Sequence, residues 1–270
     1  MTAKIRTVAP GKGSINEAAS LLDLAKAVEE SGCSLLTIHG RTADARYTKA
    51  ANWELICDVA SQLRIPVIGN GDILTQYEAA TKLHLNGDVL HGIMVGRAAL
   101  IKPWLFREFN EGKEWLPTTK QRVQIYLRLV ELMREHFGDD DRGKKSAFYF
   151  LPWHFGFFNR YRHLPATRFR DISNIHPLMQ TRLPSHDEYK SFDDVDVDCM
   201  VERVLRCPDE RAHVMIAETL WSYLENNADK VDVEEVLEML EKLGKKNIET
   251  WEVNNNDSHE SNHVRVEERG

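Results

Sequence analysis

Apolar and polar positions over the first hundred residues switch repeatedly between two periods. Short apolar runs at 3–8 (AKIRTV), 33–40 (CSLLTIHG), 65–71 (IPVIGNG) and 91–97 (HGIMVGR) predict strands. Between them the spacing is helical. Residues 15–32 put Ala18, Leu21, Leu22, Ala25 and Val28 on one stripe, with Ser14 as cap and Gly32 as stop. Residues 52–63 and 75–87 predict two further helices, and a short helix holding Trp104, Leu105 and Phe106 follows the last strand. Four strand–helix repeats in a row predict a parallel sheet with covering helices.

The pattern changes at Pro117. Residues 120–137 form a strongly amphipathic helix with Val123, Tyr126, Leu127, Val130, Met133 and Phe137 on one stripe. No convincing strand follows, and helices are expected around 145–162, 197–206, 209–226 and 231–244, the last ending at Gly244. The predicted organisation is an α/β domain over 1–116, a helical domain over 117–244 and a disordered tail over 245–270.

Composition adds limits. The 42% hydrophobic content of 270 residues suffices for one large core or two modest ones. No apolar run reaches the ~18 residues of a membrane helix, and the N-terminus lacks the apolar stretch of a signal peptide. The four cysteines, Cys33, Cys57, Cys199 and Cys207, are scattered, so no zinc or redox motif is expected and a reducing cytoplasmic or nuclear location fits. The acidic stretch 187–198 lacks EF-hand spacing, and His259 and His263 fall in the tail, so no metal site is expected. The net charge of −7 is uneven: +1 over residues 1–110, +5 over 111–170 and −13 over the rest. An acidic chain with a basic middle leaves a nucleic-acid partner open.

Candidate chemistry gathers where the strands end, which is where parallel α/β sheets and barrels bind ligands. Strand one carries Lys4 and Arg6. Strand two ends in His39-Gly40-Arg41, strand three in Gly69-Asn70-Gly71-Asp72 and strand four in Gly96-Arg97. Each has an ordinary reading: a satisfied structural histidine, an Asn-Gly-Asp turn, an Asp72 helix cap, an Arg97 surface ion pair. Their joint placement at four successive strand ends favours a ligand, with Gly96-Arg97 suited to phosphate.

In chain order, KIRT, IHGRTADARYTKAANW, IPVIGNGDI and GIMVGRAALIKPWLF resemble the tRNA-dihydrouridine synthase family. The second is most similar to the eukaryotic branch acting on the variable loop, at tRNA position 47. The resemblance is strong over 3–107 and looser through 163. It implies an α/β fold, the C-terminal half of a (β/α)8 TIM barrel followed by an all-α domain. It further implies FMN in the barrel, NAD(P)H as its reductant, hydride transfer to the C5=C6 bond of a uridine, and a helical domain that helps hold tRNA. Residue by residue, Lys4 resembles the lysine at the flavin ring and His39 the histidine at the flavin, with Arg41 facing it too. Asn70, Gly71 and Asp72 resemble the cofactor-binding loop, and Gly96 and Arg97 the phosphate grip. Residues 46 to 53 would shape the loop and helix behind, with Trp53 as packing.

The family barrel has eight βα units, and these residues match the last four. The family's catalytic cysteine lies in an Asn-x-Gly-Cys-Pro context that none of the four cysteines shares, so the catalytic acid is unknown. A half-barrel leaves two open edges. The favoured expectation is a piece of a longer synthase, inactive alone. The others are a second chain completing the barrel, or a non-catalytic RNA-binding relative. A different phosphate-binding barrel enzyme would explain Gly96-Arg97 but not the whole set. For RNA, residues 142–170 hold seven Lys/Arg and no Asp/Glu, interleaved with aromatic residues. Most of these rings are expected in the core, with Arg142, Lys144, Lys145, Arg160 and Arg162 as RNA contacts.

Overall fold

The computed structural model describes residues 1–7, 17–45, 49–85, 87–180, 199–227 and 230–267, and side chains as far as residue 251. The proposed Ser14 cap, Arg46 and Tyr47, the acidic 187–198 stretch, and the side chains of His259 and His263 lie outside these residues. Strands β1 (Thr2–Arg6), β2 (Leu35–His39), β3 (Val67–Asn70) and β4 (Gly92–Met94) form one parallel sheet in sequence order. Helices α1 (Glu17–Glu30), α2 (Trp53–Ala60) and α3 (Gln76–Leu83) connect successive strands, and α4 (Arg97–Ile101) and α5 (Leu105–Glu111) follow β4.

In β3, Val67 and Gly69 are buried while Ile68 and Asn70 are half-exposed, the period-2 pattern of a strand with one covered face. Leu36, Ile38 and Ile56 are fully buried in the core beneath the helices, each contributing about 1.5–3 kcal/mol. Local chemistry sets the helix starts. Asn52 Oδ1 accepts the Leu55 N–H at 3.0 Å. Thr75 and Glu78 form a reciprocal capping box, so Thr75 and not Asp72 caps α3.

Next come α6 (Thr119–Phe137), α7 (Asp141–Phe158), α8 (Ala166–Ile175), α9 (Met200–Arg206), α10 (Glu210–Asn226) and α11 (Val233–Glu267). The chain divides into two compact units. One is Met1–Trp115 with Leu164–Leu183, the other Leu116–His163 with Pro184–Gly270. Among the described residues no helix is long and apolar enough to cross a membrane.

Two sequence expectations change. First, α8 and the residues after it group with the α/β unit instead of the helical one. Buried polar groups on α3 need partners, and this segment supplies them. Tyr77 Oη donates to the Leu164 carbonyl at 2.9 Å, and the Leu178 N–H donates to Glu78 Oε1 at 3.0 Å. Second, α11 runs past Gly244 through the expected tail. Gly244 is a packing residue here: a Cβ would sit 2.6 Å from Val204 Cγ2 and 2.7 Å from Met200 Sδ. Ile248 and Trp251, both buried, extend the stripe begun by Val236 and Leu240.

Candidate functional site

Parallel register aligns the strand ends. Arg6 lies opposite His39, His39 opposite Asn70, and Asn70 opposite Met94, so one row crosses all four strands. Beyond this row a cavity of about 230 Å³ is lined by Lys4, His39, Asn70, Gly71, Asp72, Gly96 and Arg97, together with Ile73, Met94, Val95 and Met179. The seven residues singled out for a cofactor therefore share one cavity. Its volume falls below the ~300–1,000 Å³ usual for small-molecule pockets.

The loop after β3 is built for close approach. Gly71 has φ +136°, and a Cβ there would lie 2.5 Å from Ala51 Cβ and 3.3 Å from the His39 ring. Trp53 Nε1 donates to the Gly71 carbonyl at 3.1 Å, so Trp53 packs and also pins the loop. Asn70 Nδ2 donates to the Met94 carbonyl at 2.7 Å and ties β3 to β4.

Asp72, itself at φ 51°, is the hub. Its Oδ2 accepts from Arg41, from the Ala51 N–H at 2.9 Å and from Gln180 Nε2 at 2.8 Å, while Oδ1 accepts from Arg97 Nη2 at 3.3 Å. Arg41 does not line the cavity as expected. It is buried, held inside the unit by Asp72 and the Lys49 carbonyl. No sequence signal marked Met179, which lines the cavity, or Gln180, which bonds Asp72 from 108 residues along the chain.

The cavity is cationic. Burial, then the charges of Lys4, Arg6 and Arg41, push His39 down to about 4, so its imidazole is neutral near pH 7. Burial first and Arg6 second lower the Lys4 ammonium from its usual range. Lys4 and Arg97, the latter paired with Asp72, face the cavity beside a neutral ring, a donor set suited to an anionic ligand. None of the four cysteines lines it. Cys33 donates to the Met1 carbonyl at 3.3 Å, and burial pushes the Cys57 thiol up, away from reactivity.

In the helical unit the five predicted RNA contacts divide. Arg142 and Lys145 are exposed on α7, and Arg160 is exposed over the Phe157 ring at 5.8 Å. Lys144 instead pairs with Glu225 at 3.2 Å and lies 5.8 Å from the Trp221 ring. Arg162 donates to the carbonyls of Asn159 at 2.6 Å and Tyr161 at 2.8 Å. Phe155, Phe158 and Tyr161 are core, but Tyr149 is 79% and Trp153 53% exposed. A groove of about 540 Å³ lies beside Trp153, Phe157, Arg160 and His213.

Known proteins match the part of the chain that holds the four strands. A family model described as Dihydrouridine synthase (Dus) matches residues 1–170. The tRNA-dihydrouridine(47) synthase-like protein of Xenopus tropicalis, designated NAD(P)(+), is 40% identical over 157 residues, covering 57% of this chain and 23% of its own. The Coprinopsis cinerea tRNA-dihydrouridine(47) synthase is 35% identical over 176 residues, 61% of this chain and 25% of its own. The Homo sapiens counterpart is 37% identical over 155 residues, 57% and 23%. The chain thus spans about a quarter of the length of the curated relatives it matches. With strands β1 to β4 and all the cavity-lining residues but Met179 inside the matched region, the chain belongs to the dihydrouridine synthase family.

Proposed function

We propose that this chain carries the cofactor-gripping part of an FMN-dependent tRNA-dihydrouridine synthase, which reduces uridine to 5,6-dihydrouridine in tRNA with NAD(P)H. In this reading its four βα units are the C-terminal half of a (β/α)8 barrel. The other half lies outside these 270 residues, in the same or a partner chain. The carrying observation is the convergence of seven residues from four strand ends on one cationic cavity. The names of the relatives, which carry NAD(P)(+) and tRNA, support the reductant and the substrate.

The donor set fits FMN. Arg97, braced by Asp72, and the open backbone at Gly96 would hold the phosphate. Lys4 would stand by the ring, where a cation stabilises negative charge. Neutral His39 offers a hydrogen bond without adding charge, and Asn70 and Gly71 complete the rim. Bound FMN supplies the hydride chemistry. The proton donor would come from the complementary units, since no cysteine here lines the cavity. In the helical unit, Arg142, Lys145 and Arg160 would hold tRNA phosphates, and Tyr149 and Trp153 would stack on unpaired bases.

The deciding experiment is co-expression with the first four βα units of a relative. The complex is expected to retain flavin absorbance and to form dihydrouridine on unmodified tRNA with reduced nicotinamide. A soluble complex that takes up no FMN would overturn the proposal.

A further inference from the structure

His176–Gln180 lies beyond the family match, which ends at residue 170, yet it touches the centre of the α/β unit. Leu178 is buried, and its N–H donates to Glu78 Oε1 at 3.0 Å. Gln180 Nε2 donates to Asp72 Oδ2 at 2.8 Å and to the Lys49 carbonyl at 2.9 Å. The Gln180 N–H closes a turn on the Pro177 carbonyl at 2.9 Å. Met179, fixed between these two anchors, lines the same cavity as His39, Asn70 and Arg97.

Glu78 is divided between two tasks. Its Oε2 accepts from the N–H groups of Leu74 and Thr75 and from Thr75 Oγ1, all at 3.0 Å, and so completes the α3 cap. Its Oε1 goes to Leu178. Asp72 is divided likewise, between Arg97 on one oxygen and Gln180 on the other. A ligand that pulls on Arg97 therefore acts on the carboxylate that holds the segment.

We propose that His176–Gln180 is a strap forming one wall of the cofactor cavity, with Met179 as a contact residue for the bound flavin and Glu78 and Gln180 as positioning residues. This rests on the FMN reading of the cavity. An unbranched thioether suits the edge of a flat aromatic ring. Because strap and phosphate grip meet on Asp72, flavin binding and strap attachment are coupled, each strengthening the other.

The test uses the full chain complexed with the first four βα units of a relative. FMN affinity is read by flavin fluorescence, and strap attachment by hydrogen exchange at the Leu178 and Gln180 amides. In the wild type, FMN is expected to slow exchange at both amides. Met179→Ala should weaken FMN roughly 2- to 12-fold, the range of a sulfur–aromatic contact, and shift the visible flavin band. Glu78→Gln keeps an oxygen for the cap but turns an NH2 toward the Leu178 N–H. It should speed exchange at that amide and weaken FMN. Should Glu78→Gln fail to fold, the half-buried Met179 carries the test alone. A wild type that takes up no FMN refutes the cofactor reading and the strap with it. A wild type that binds FMN, with Met179→Ala unchanged in affinity and spectrum, sinks the strap only.

Discussion

Asp72 and Arg41 form an ion pair whose two side chains are each 1% exposed. The pair joins the loop after β2 to the loop after β3. Asp72 also holds Arg97 and Gln180, so one carboxylate orders much of the cavity wall.

Removing one partner of such a pair leaves a buried charge without compensation. Asp72→Ala is expected to destabilise the α/β unit by about 3–5 kcal/mol. Arg41→Met should cost less than Asp72→Ala, because Arg97, the Ala51 N–H and Gln180 still hold the Asp72 carboxylate. The surface pair Arg107–Glu111 is the control, with Glu111→Gln expected to leave stability nearly unchanged. Native-state hydrogen exchange at the Ala51 amide, which Asp72 accepts, reads the effect in the α/β unit itself. Equal protection in Asp72→Ala and wild type would show the pair to be dispensable.

At the phosphate grip, Arg97→Ala should weaken FMN in the complemented complex by roughly 1.5–3 kcal/mol, or about tenfold and more, as for loss of a charge-assisted hydrogen bond. Asn70→Ala should act less directly, by releasing the Met94 carbonyl and loosening the β3–β4 rim. Fluorescence titration with FMN measures both. Wild-type affinity in both variants would remove these residues from the cofactor site.

His39 gives the α/β unit a pH signature. Its pKa is about 4 in the fold against 6.5 for the free side chain, so between these values the unfolded chain binds more protons. Stability should therefore be full above about pH 6.5 and fall as pH drops toward 4. His39→Gln should flatten that part of the profile. Burial also lowers His154 and His213 in the helical unit, so the comparison is best made by exchange at α/β amides. An unchanged slope in His39→Gln would assign the acid loss to other groups.

The strands, the helices and the seven cavity residues were legible because each leaves a local mark: a period, a cap, a glycine beside a polar group at a strand end. What was not legible depends on distance along the chain. Arg41 and Asp72 are 31 residues apart, and nothing in either loop shows that they satisfy each other. Glu78 is visible as the last member of a capping box, but its second oxygen serves a partner 100 residues on. Gly244 looked like a stop because glycine ends many helices, whereas Val204 and Met200 leave no room for a Cβ. Most of the rings in 142–170 were expected in the core, as large rings usually are, and nothing local showed that α7 turns Tyr149 and Trp153 outward.

Those exposed rings sharpen the RNA prediction. Arg142, Lys145, Tyr149 and Trp153 recur every three or four residues, so they share one face of α7, with Arg160 just beyond its end. Cations and rings should fail differently. Charge reversal at Arg142, Lys145 or Arg160 should weaken tRNA binding and flatten the log–log salt slope by about 0.7 to 0.9 per lost phosphate contact. Tyr149→Ala and Trp153→Ala should each cost roughly 1–3 kcal/mol of binding, the value of a base stack, while leaving the slope unchanged. Lys144→Ala should disturb the Glu225 contact more than the slope, and Arg162→Ala the Asn159 and Tyr161 carbonyls. The measurement is tRNA affinity for the full chain across a salt series. Slopes unmoved by the three charge reversals would return this face to ordinary solvated surface. A ring variant that moved the slope as much as a charge reversal would mean that the fold of α7, and not stacking, had been lost.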